Sequence, residues 1–247
     1  MKTEILGVKI DNLAMEGALQ KVEDFLKDGQ QHYIVTPNPE FLVLAQKDEE
    51  FRQILNQADL AICDGIGLIF ASWFLLQPLK QRIAGTDLME KVCQRAVSRK
   101  WPVFLLGDKE DGLVEETADK LKKKYPGLEI ESLNEILGCF EEKITESVSL
   151  VDNRPAVLFL ALGAPKQEKW IAENLRKIPS VKLAMGVGGA FNFISGQVPR
   201  APKFLRVIGL EWFWRFCCQP WRIKRIFEAV IVFPYLVIRS VFQGQSL

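Results

Sequence analysis

Residues 157–168, Val-Leu-Phe-Leu-Ala-Leu-Gly-Ala-Pro-Lys-Gln-Glu, decide the fold class of this 247-residue chain. Six apolar residues are followed by two small ones and by a proline, which suits the first turn of a helix. A strand that is apolar on both faces is typical of a parallel sheet covered by helices on both sides. The segment therefore predicts a buried strand that leads directly into a helix.

The same order of strand and helix recurs along the chain. Further strands are predicted at residues 32–36, 60–63, 103–106, 128–131 and 182–187, after a short strand or hairpin at 4–10. The spacing of apolar residues predicts helices at 15–27, 87–100, 113–124 and 165–178. We therefore expect an α/β fold with a Rossmann-like parallel sheet and helices on both faces.

The last fifth of the chain differs from the rest in composition. Residues 200–247 carry a net charge of +6, whereas residues 1–199 carry −5, so the total of +1 hides a strong asymmetry. Ten of the 25 aromatic residues also lie there, and the segment reads as two or three helices without a strand. We predict an α/β catalytic domain at 1–199 and a basic, aromatic-rich helical appendage at 200–247.

Composition also excludes several kinds of site. His32 is the only histidine, so no metal centre or facial triad that needs two histidines can form. The cysteines number five and form no Cys-x-x-Cys, which predicts a reduced, cytoplasmic protein. The N-terminus lacks the features of a secretory signal, and no apolar run reaches the ~20 residues of a membrane span.

Ligands of open parallel sheets bind beyond the carboxyl ends of the strands, so polar residues that follow strands are the first candidates for a site. Thr36 and Asn38 follow the strand at 32–36 and could form a rigid pair of hydrogen-bonding groups; alternatively, Asn38 only caps the next helix. Asp64 follows the strand at 60–63. It could act as a general base with a raised pKa, or cap the helix after it.

Other loops offer further candidates. Arg82 could contact a phosphate or lie in a solvated loop, and Gln167 begins a helix whose N–H groups favour an anion or a sugar hydroxyl. The alternative for Gln167 is an ordinary turn between strand and helix. Asn192 follows a glycine-rich turn and could bind a base edge or a sugar. Three acidic residues in the loop 107–112 argue against a phosphate-binding loop there.

Seven stretches, in this order, resemble the WecG/TagA/CpsF family of glycosyltransferases. They are residues 5–11, 36–40, 58–67, 85–88, 163–168, 186–191, and 200–202 with 209–212. Together they cover nearly the whole chain. The resemblance implies an inverting enzyme that needs neither a metal nor a cofactor.

The resemblance also implies the substrates. N-acetylmannosamine, or a related hexose or hexosamine, would pass from a UDP-sugar to the C4 hydroxyl of GlcNAc-diphospho-undecaprenol in the biosynthesis of teichoic acid or a surface polysaccharide. The alternative is another UDP-sugar donor, such as N-acetylmannosaminuronic acid or glucose, or another lipid-linked acceptor in exopolysaccharide synthesis.

Mapped onto this sequence, the resemblance implies roles for the loop residues. Asp64 corresponds to the base that deprotonates the acceptor hydroxyl. Thr36 and Asn38 correspond to contacts of the donor sugar or the acceptor, and Arg82 and Gln167 to pocket residues near the diphosphate and the sugar.

In the tail, Arg215, Arg222 and Arg225 correspond to the cations that neutralise the departing UDP. This agrees with the absence of an Asp-x-Asp motif, because cations of the protein must then replace a metal. The family's usual Phe-Asp-Phe reads Phe-Asn-Phe here, with Asn192 at its centre. We therefore expect a change in nucleotide affinity or sugar preference.

The implied lipid acceptor suggests a function for the basic, aromatic appendage at 200–247, which we also call the tail. We expect it to hold the enzyme peripherally at the anionic inner face of the cell membrane, and the tail could self-associate into a homo-oligomer when no membrane is present. An ordinary pair of terminal helices is the alternative.

We expect no nucleic-acid partner, because residues 1–199 carry a net negative charge. A Rossmann-type oxidoreductase is disfavoured because no Gly-x-Gly-x-x-Gly joins a first strand and helix.

Overall fold

The structure is a computed structural model that describes residues 1–107, 112–134 and 154–242. Most of the predicted acidic loop 107–112 lies outside the described residues. The strands are β1 (Lys2–Ile5), β2 (Val8–Asp11), β3 (His32–Val35), β4 (Leu60–Ala61), β5 (Val103–Gly107), β6 (Ile130–Asn134), β7 (Ala156–Ala161) and β8 (Val181–Gly186).

The four helices predicted from the spacing of apolar residues begin within two residues of their predicted starts. Twelve α-helices lie among the described residues. They are α1 (Met15–Phe25), α2 (Pro39–Ala45), α3 (Glu49–Gln57), α4 (Ile66–Phe74), α5 (Gly85–Arg99), α6 (Leu113–Lys124), α7 (Lys166–Asn174), α8 (Ala190–Ser195), α9 (Lys203–Val207), α10 (Glu211–Cys218), α11 (Ile223–Phe227) and α12 (Phe233–Phe242). The chain divides into two compact units. Unit 1 comprises Met1–Ala14, Thr36–Ala84 and Val198–Leu247, and unit 2 comprises Met15–Val35 and Gly85–Gln197.

Unit 2 contains the strands β3, β8, β7, β5 and β6, which neighbour one another in that order and run parallel. Phe104 and Leu106 of β5 pack into a buried cluster with Ile171 of α7. Side chains of a strand alternate between faces, so Gly107 belongs to the opposite face, where it lies against Val114 of α6. The predicted parallel sheet with helices on both faces is confirmed.

One predicted strand in unit 2 starts later than expected. The backbone N–H of Leu128 donates to the carbonyl of Tyr125 at 3.1 Å, and Gly127 has a φ of +88°. The chain therefore turns at 125–128, and the ladder with β5 begins only where Ile130 lies beside Val103. A turn closed by a backbone hydrogen bond leaves its residues unable to join the sheet.

Unit 1 begins with the predicted hairpin, in which β1 and β2 pair antiparallel. Asp11 of β2 accepts a hydrogen bond from the backbone N–H of Ala61 at 3.0 Å, which ties the hairpin to β4. At the other end of the chain, α11 leads into α12 through a π-helical turn, Glu228–Val232, just before Pro234. A wider turn is a common way for a helix to accommodate a residue that lacks an N–H.

The C-terminal helices pack against other parts of unit 1. Phe233 and Val237 of α12 are buried, and a ring carbon of Phe233 lies 3.7 Å from the position a Cβ would take at Gly67 of α4. Among the described residues, no helix combines the length and apolarity that crossing a membrane requires.

Candidate active site

Asp64 lies in the turn that links β4 to α4, and backbone hydrogen bonds hold this turn. The N–H of Asp64 donates to the carbonyl of Pro37 at 2.9 Å, and the carbonyl of Cys63 accepts from the N–H of Ile83 at 2.8 Å. The residue that caps α4 is Gly65, without a side-chain hydrogen bond. The alternative that Asp64 caps this helix is therefore wrong, and its carboxylate sits in a fixed turn beside residues 36–40.

The turn at 36–40 packs tightly against the start of α4. A Cβ at Gly65 would lie 2.9 Å from Pro39, and one at Gly67 would lie 2.8 Å from the same ring. Gly65 also has a φ of +148°, which L side chains rarely adopt. Asn38 caps α2, its Oδ1 accepting a backbone N–H at 3.1 Å, and Thr36 is buried. Two glycines therefore bring Asn38 and Asp64 into neighbouring turns.

Glu40, the second residue of α2, pairs with Arg225 and acts electrostatically on Arg215 and Arg222. The Nε and Nη2 atoms of Arg225 both lie 2.6 Å from Oε2 of Glu40. Burial lowers the pKa of Arg215, and the carboxylates of Glu40 and Asp64 oppose that shift. Burial also lowers the pKa of Arg222 to about 10, helped by repulsion from Arg215 and Arg225. Asp64 thus interacts electrostatically with Arg215, which in turn interacts with Arg222 and Arg225.

Arg82 connects the chain after β4 to the start of α10. Its Nη1 donates to the carbonyl of Arg206 at 3.2 Å, and its Nη2 pairs with the carboxylate of Glu211. The other oxygen of that carboxylate accepts from Nε of Arg200 at 3.4 Å. The Nε of Arg82 is buried and has no hydrogen-bond partner among the described residues. Arg82 thus anchors the C-terminal helices and still holds one unsatisfied donor.

Gln167 belongs to a buried hydrogen-bond chain in unit 2. Its Nε2 donates to Oε1 of Glu168 at 2.6 Å, and its Oε1 accepts from the N–H of Gly188 at 3.1 Å. A Cβ at Gly186 would lie 2.6 Å from that Nε2, so only glycine fits there. Both ends of the amide are therefore held, and Gln167 fixes the glycine-rich turn that precedes Asn192.

Sequence reasoning placed nine residues at the site, and seven of them lie in unit 1. These are Thr36, Asn38, Asp64, Arg82, Arg215, Arg222 and Arg225, whereas Gln167 and Asn192 belong to unit 2. Asn192 is partly exposed in α8. In the described ranges, no group of three or more His, Cys, Asp or Glu side chains is placed to hold a metal ion.

Sequence reasoning missed three carboxylates that organise these groups: Glu40, Glu168 and Glu211. Glu40 and Arg225 are 185 residues apart, and Glu211 lies 129 residues from Arg82. No local spacing links such partners. The available signal was that each carboxylate lies in the first turn of a helix and inside one of the seven stretches.

Comparison with known proteins gives a consistent result over the whole chain. The model described as "Glycosyl transferase WecG/TagA/CpsF family" matches residues 3–246. A protein of Staphylococcus aureus (strain NCTC 8325 / PS 47) is 31% identical over 241 residues, which is 97% of this chain and 93% of that protein. It is named N-acetylglucosaminyldiphosphoundecaprenol N-acetyl-beta-D-mannosaminyltransferase, as are similar proteins of strains COL and MRSA252.

Proposed function

This chain belongs to the WecG/TagA/CpsF family of glycosyltransferases, and from that premise we propose that it transfers N-acetylmannosamine from a UDP-sugar to the C4 hydroxyl of GlcNAc-diphospho-undecaprenol. The names of the S. aureus relatives support this acceptor and this sugar. The product would serve the synthesis of wall teichoic acid or a related surface polysaccharide.

One observation carries the proposal: in unit 1 the Asp64 carboxylate interacts electrostatically with Arg215, and Arg215 with Arg222 and Arg225. Inversion requires a single displacement at the anomeric carbon. Asp64 takes the proton of the acceptor hydroxyl, the acceptor oxygen bonds to the anomeric carbon, and the bond to UDP breaks with its electron pair on the leaving oxygen. Arg215, Arg222 and Arg225 stabilise that charge, so the proposed reaction needs no metal.

The remaining predicted residues take supporting roles in this proposal. Thr36 and Asn38 contact the donor sugar or the acceptor from the turn beside Asp64. Arg82 lies near the diphosphate, to which its unsatisfied Nε can donate. Gln167 contacts the sugar, and within unit 2 it holds the glycine-rich turn.

The proposed base is tested by Asp64→Asn, with Asp59→Asn as the matched control at the other end of β4. We expect the Asp64 variant to bind UDP as the wild type does and to lose transfer to a synthetic GlcNAc-diphospho-lipid by about 10²- to 10⁴-fold, the usual contribution of a general base. The Asp59 variant should keep its activity. Full turnover by the Asp64 variant would refute the assignment.

A second donor remains a specific alternative because of Asn192. Where the family usually has an aspartate, this chain offers an amide, which carries no charge and can donate a hydrogen bond. A panel of UDP-sugars that includes N-acetylmannosaminuronic acid and glucose, followed by mass analysis of the lipid product, identifies the donor. A product that carries a sugar other than N-acetylmannosamine would replace the proposed donor.

We also propose that the enzyme works peripherally at the inner face of the cell membrane. The large apolar side chains that are most exposed among the described residues all belong to unit 1: they are Met1, residues in α4 and just after it, and residues from Phe204 onward. Trp221 is 73% exposed and Ile231 is 54% exposed. Aromatic and apolar groups beside basic residues favour binding to anionic lipid surfaces.

Flotation with vesicles tests this placement. We expect the wild type to float with phosphatidylglycerol vesicles and not with phosphatidylcholine vesicles, and the double variant Trp221→Ser/Ile231→Ser to lose binding. UDP affinity should not change, because neither side chain belongs to the arginine cluster. Unchanged flotation of the double variant would contradict the proposal.

A further inference from the structure

The pairing of Glu40 with the arginine cluster suggests a role for this carboxylate before substrate binds. We propose that Glu40 is an internal stand-in for the substrate diphosphate: it occupies the anion position among Arg215, Arg222 and Arg225 in the unliganded enzyme, and a diphosphate displaces it. The inference rests on the proposed function, in which these arginines bind a diphosphate.

One edge of the Arg225 guanidinium contacts a single carboxylate oxygen of Glu40. Both Nε and Nη2 lie 2.6 Å from Oε2 of Glu40. This is the edge that Arg225 would offer to a phosphate, because two parallel N–H groups match a pair of anionic oxygens. Glu40 and a diphosphate therefore cannot use it at the same time.

Glu40 is the carboxylate that the three arginines share. Arg215, Arg222 and Arg225 repel one another, and the attraction of Glu40 opposes the lowering of the pKa of both Arg215 and Arg222. Asp64 and Glu211 attract Arg215 as well, but Glu40 also pairs with Arg225. A diphosphate carries more charge and more acceptor oxygens than a carboxylate, so it suits the cluster better than Glu40 does.

The pair is also accessible enough to open. The side chain of Glu40 is 23% exposed and that of Arg225 is 47% exposed. Ion pairs with this exposure are weak because water screens them, so displacing Glu40 costs little. The backbone does not have to move, because Asn38 caps α2 and Pro39 occupies its first turn, and the Glu40 side chain alone can rotate away.

The structure offers a matched control in a second ion pair. Lys47, just after α2, lies 3.6 Å from Glu228 in the π-helical turn. Like Glu40–Arg225, this pair joins the region of α2 to the C-terminal helices. It lies outside the three arginines, so Glu228→Gln removes a pair of the same kind without changing the anion position.

The experiment compares Glu40→Gln, Glu228→Gln and the wild type as full chains. Isothermal titration calorimetry measures the affinity for UDP and for inorganic pyrophosphate, and thermal unfolding is followed with and without UDP. We expect Glu40→Gln to bind UDP about two- to fivefold more tightly, because UDP no longer has to displace a weakly paired carboxylate from Arg225. Without ligand it should unfold at a lower temperature than the wild type, because the arginines lose their counter-charge.

The two effects have opposite signs, which separates a stand-in from a structural ion pair. A purely structural role for Glu40 would lower both the unfolding temperature and the UDP affinity. Glu228→Gln should leave UDP affinity unchanged. Glu40→Asp keeps the charge but moves it away from Arg225, so we expect a smaller gain in UDP affinity. This variant also tests the proposal if Glu40→Gln does not fold.

A further comparison distinguishes the two sources of a diphosphate. If Glu40→Gln gains affinity for UDP but not for geranyl diphosphate, the position belongs to the donor; the reverse assigns it to the lipid acceptor. A wild type that binds UDP with no gain in Glu40→Gln overturns the stand-in alone. A wild type that binds neither UDP nor pyrophosphate overturns the proposed function as well.

Discussion

Replacing Glu168 by glutamine should change how the stability of the protein depends on pH. Glu168 is fully buried in unit 2, and its Oε2 has no hydrogen-bond partner among the described residues. Burial raises the pKa of Glu168 from 4.5 to about 7, although the hydrogen bond from Gln167 opposes the shift. The neutral acid is thus the form that the folded protein favours.

The sign follows from proton binding. Between about pH 4.5 and pH 7 the folded protein holds the proton of Glu168 while the unfolded chain has released it. The stability from this group is therefore fully present below pH 4.5 and is lost as the pH rises through 7. A shift of this size corresponds to about 3 kcal/mol in the free energy of unfolding.

Other carboxylates do not imitate this effect. Although burial opposes it, ion pairs with Arg95 and Arg99 lower the pKa of Glu23, and a hydrogen bond from Arg154 lowers that of Glu129. Groups with a lowered pKa lose their stabilising effect as the pH falls below their ordinary value, which is the opposite sign and a lower range. Among the described carboxylates with a shifted pKa, the loss between pH 5 and pH 8 thus comes from Glu168.

Urea denaturation at pH 5, 6, 7 and 8, followed by circular dichroism, measures the effect. We expect the free energy of unfolding of Glu168→Gln to rise relative to the wild type by about 3 kcal/mol between pH 5 and pH 8, since glutamine does not titrate in this range. Glu173→Gln, on the exposed side of α7, is the control. Parallel profiles for the wild type and Glu168→Gln would refute the reasoning.

Three more predictions follow from packing and burial. Gly186→Ala should lower the free energy of unfolding by about 1–3 kcal/mol in urea denaturation, because its Cβ meets two α7 side chains; a stable variant would contradict the packing. Glu211→Gln should lower the free energy of unfolding by about 2 kcal/mol, because the substitution leaves the buried charge of Arg82 less well paired. A change below about 0.5 kcal/mol would show that the pair is dispensable. In native protein at pH 8, iodoacetamide should label exposed Cys217 and leave Cys63 intact, because burial raises the pKa of Cys63 to about 12; labelled Cys63, detected by peptide mass analysis, would contradict this.

Much of the fold was predictable because the signals are local. The apolar run at β7 and the helical spacing at α6 predicted these elements within a residue of their bounds. The strand predicted at 128–131 was displaced because a turn closed by Tyr125 and Leu128 removes its first residues from the ladder. A backbone hydrogen bond of this kind leaves no trace in apolar periodicity.

The candidate site was predictable only in part. Asp64 follows its strand at a position where a parallel sheet presents ligand-binding groups, so its place was readable. Its alternative role as a helix cap was excluded only by the structure, in which Gly65 caps α4 instead. For Asn38 the cap was confirmed, because Oδ1 accepts the N–H that α2 leaves unsatisfied.

The α/β class, the membership of a glycosyltransferase family and the concentration of positive charge near the C-terminus were all readable from the sequence. These properties depend on local spacing, on motifs and on composition. The folded chain was needed to show that Glu40 pairs with Arg225, that Glu211 holds Arg82, and that Glu168 is buried. Charge interactions and burial depend on distance in space, and the folded chain brings together residues that are more than a hundred positions apart.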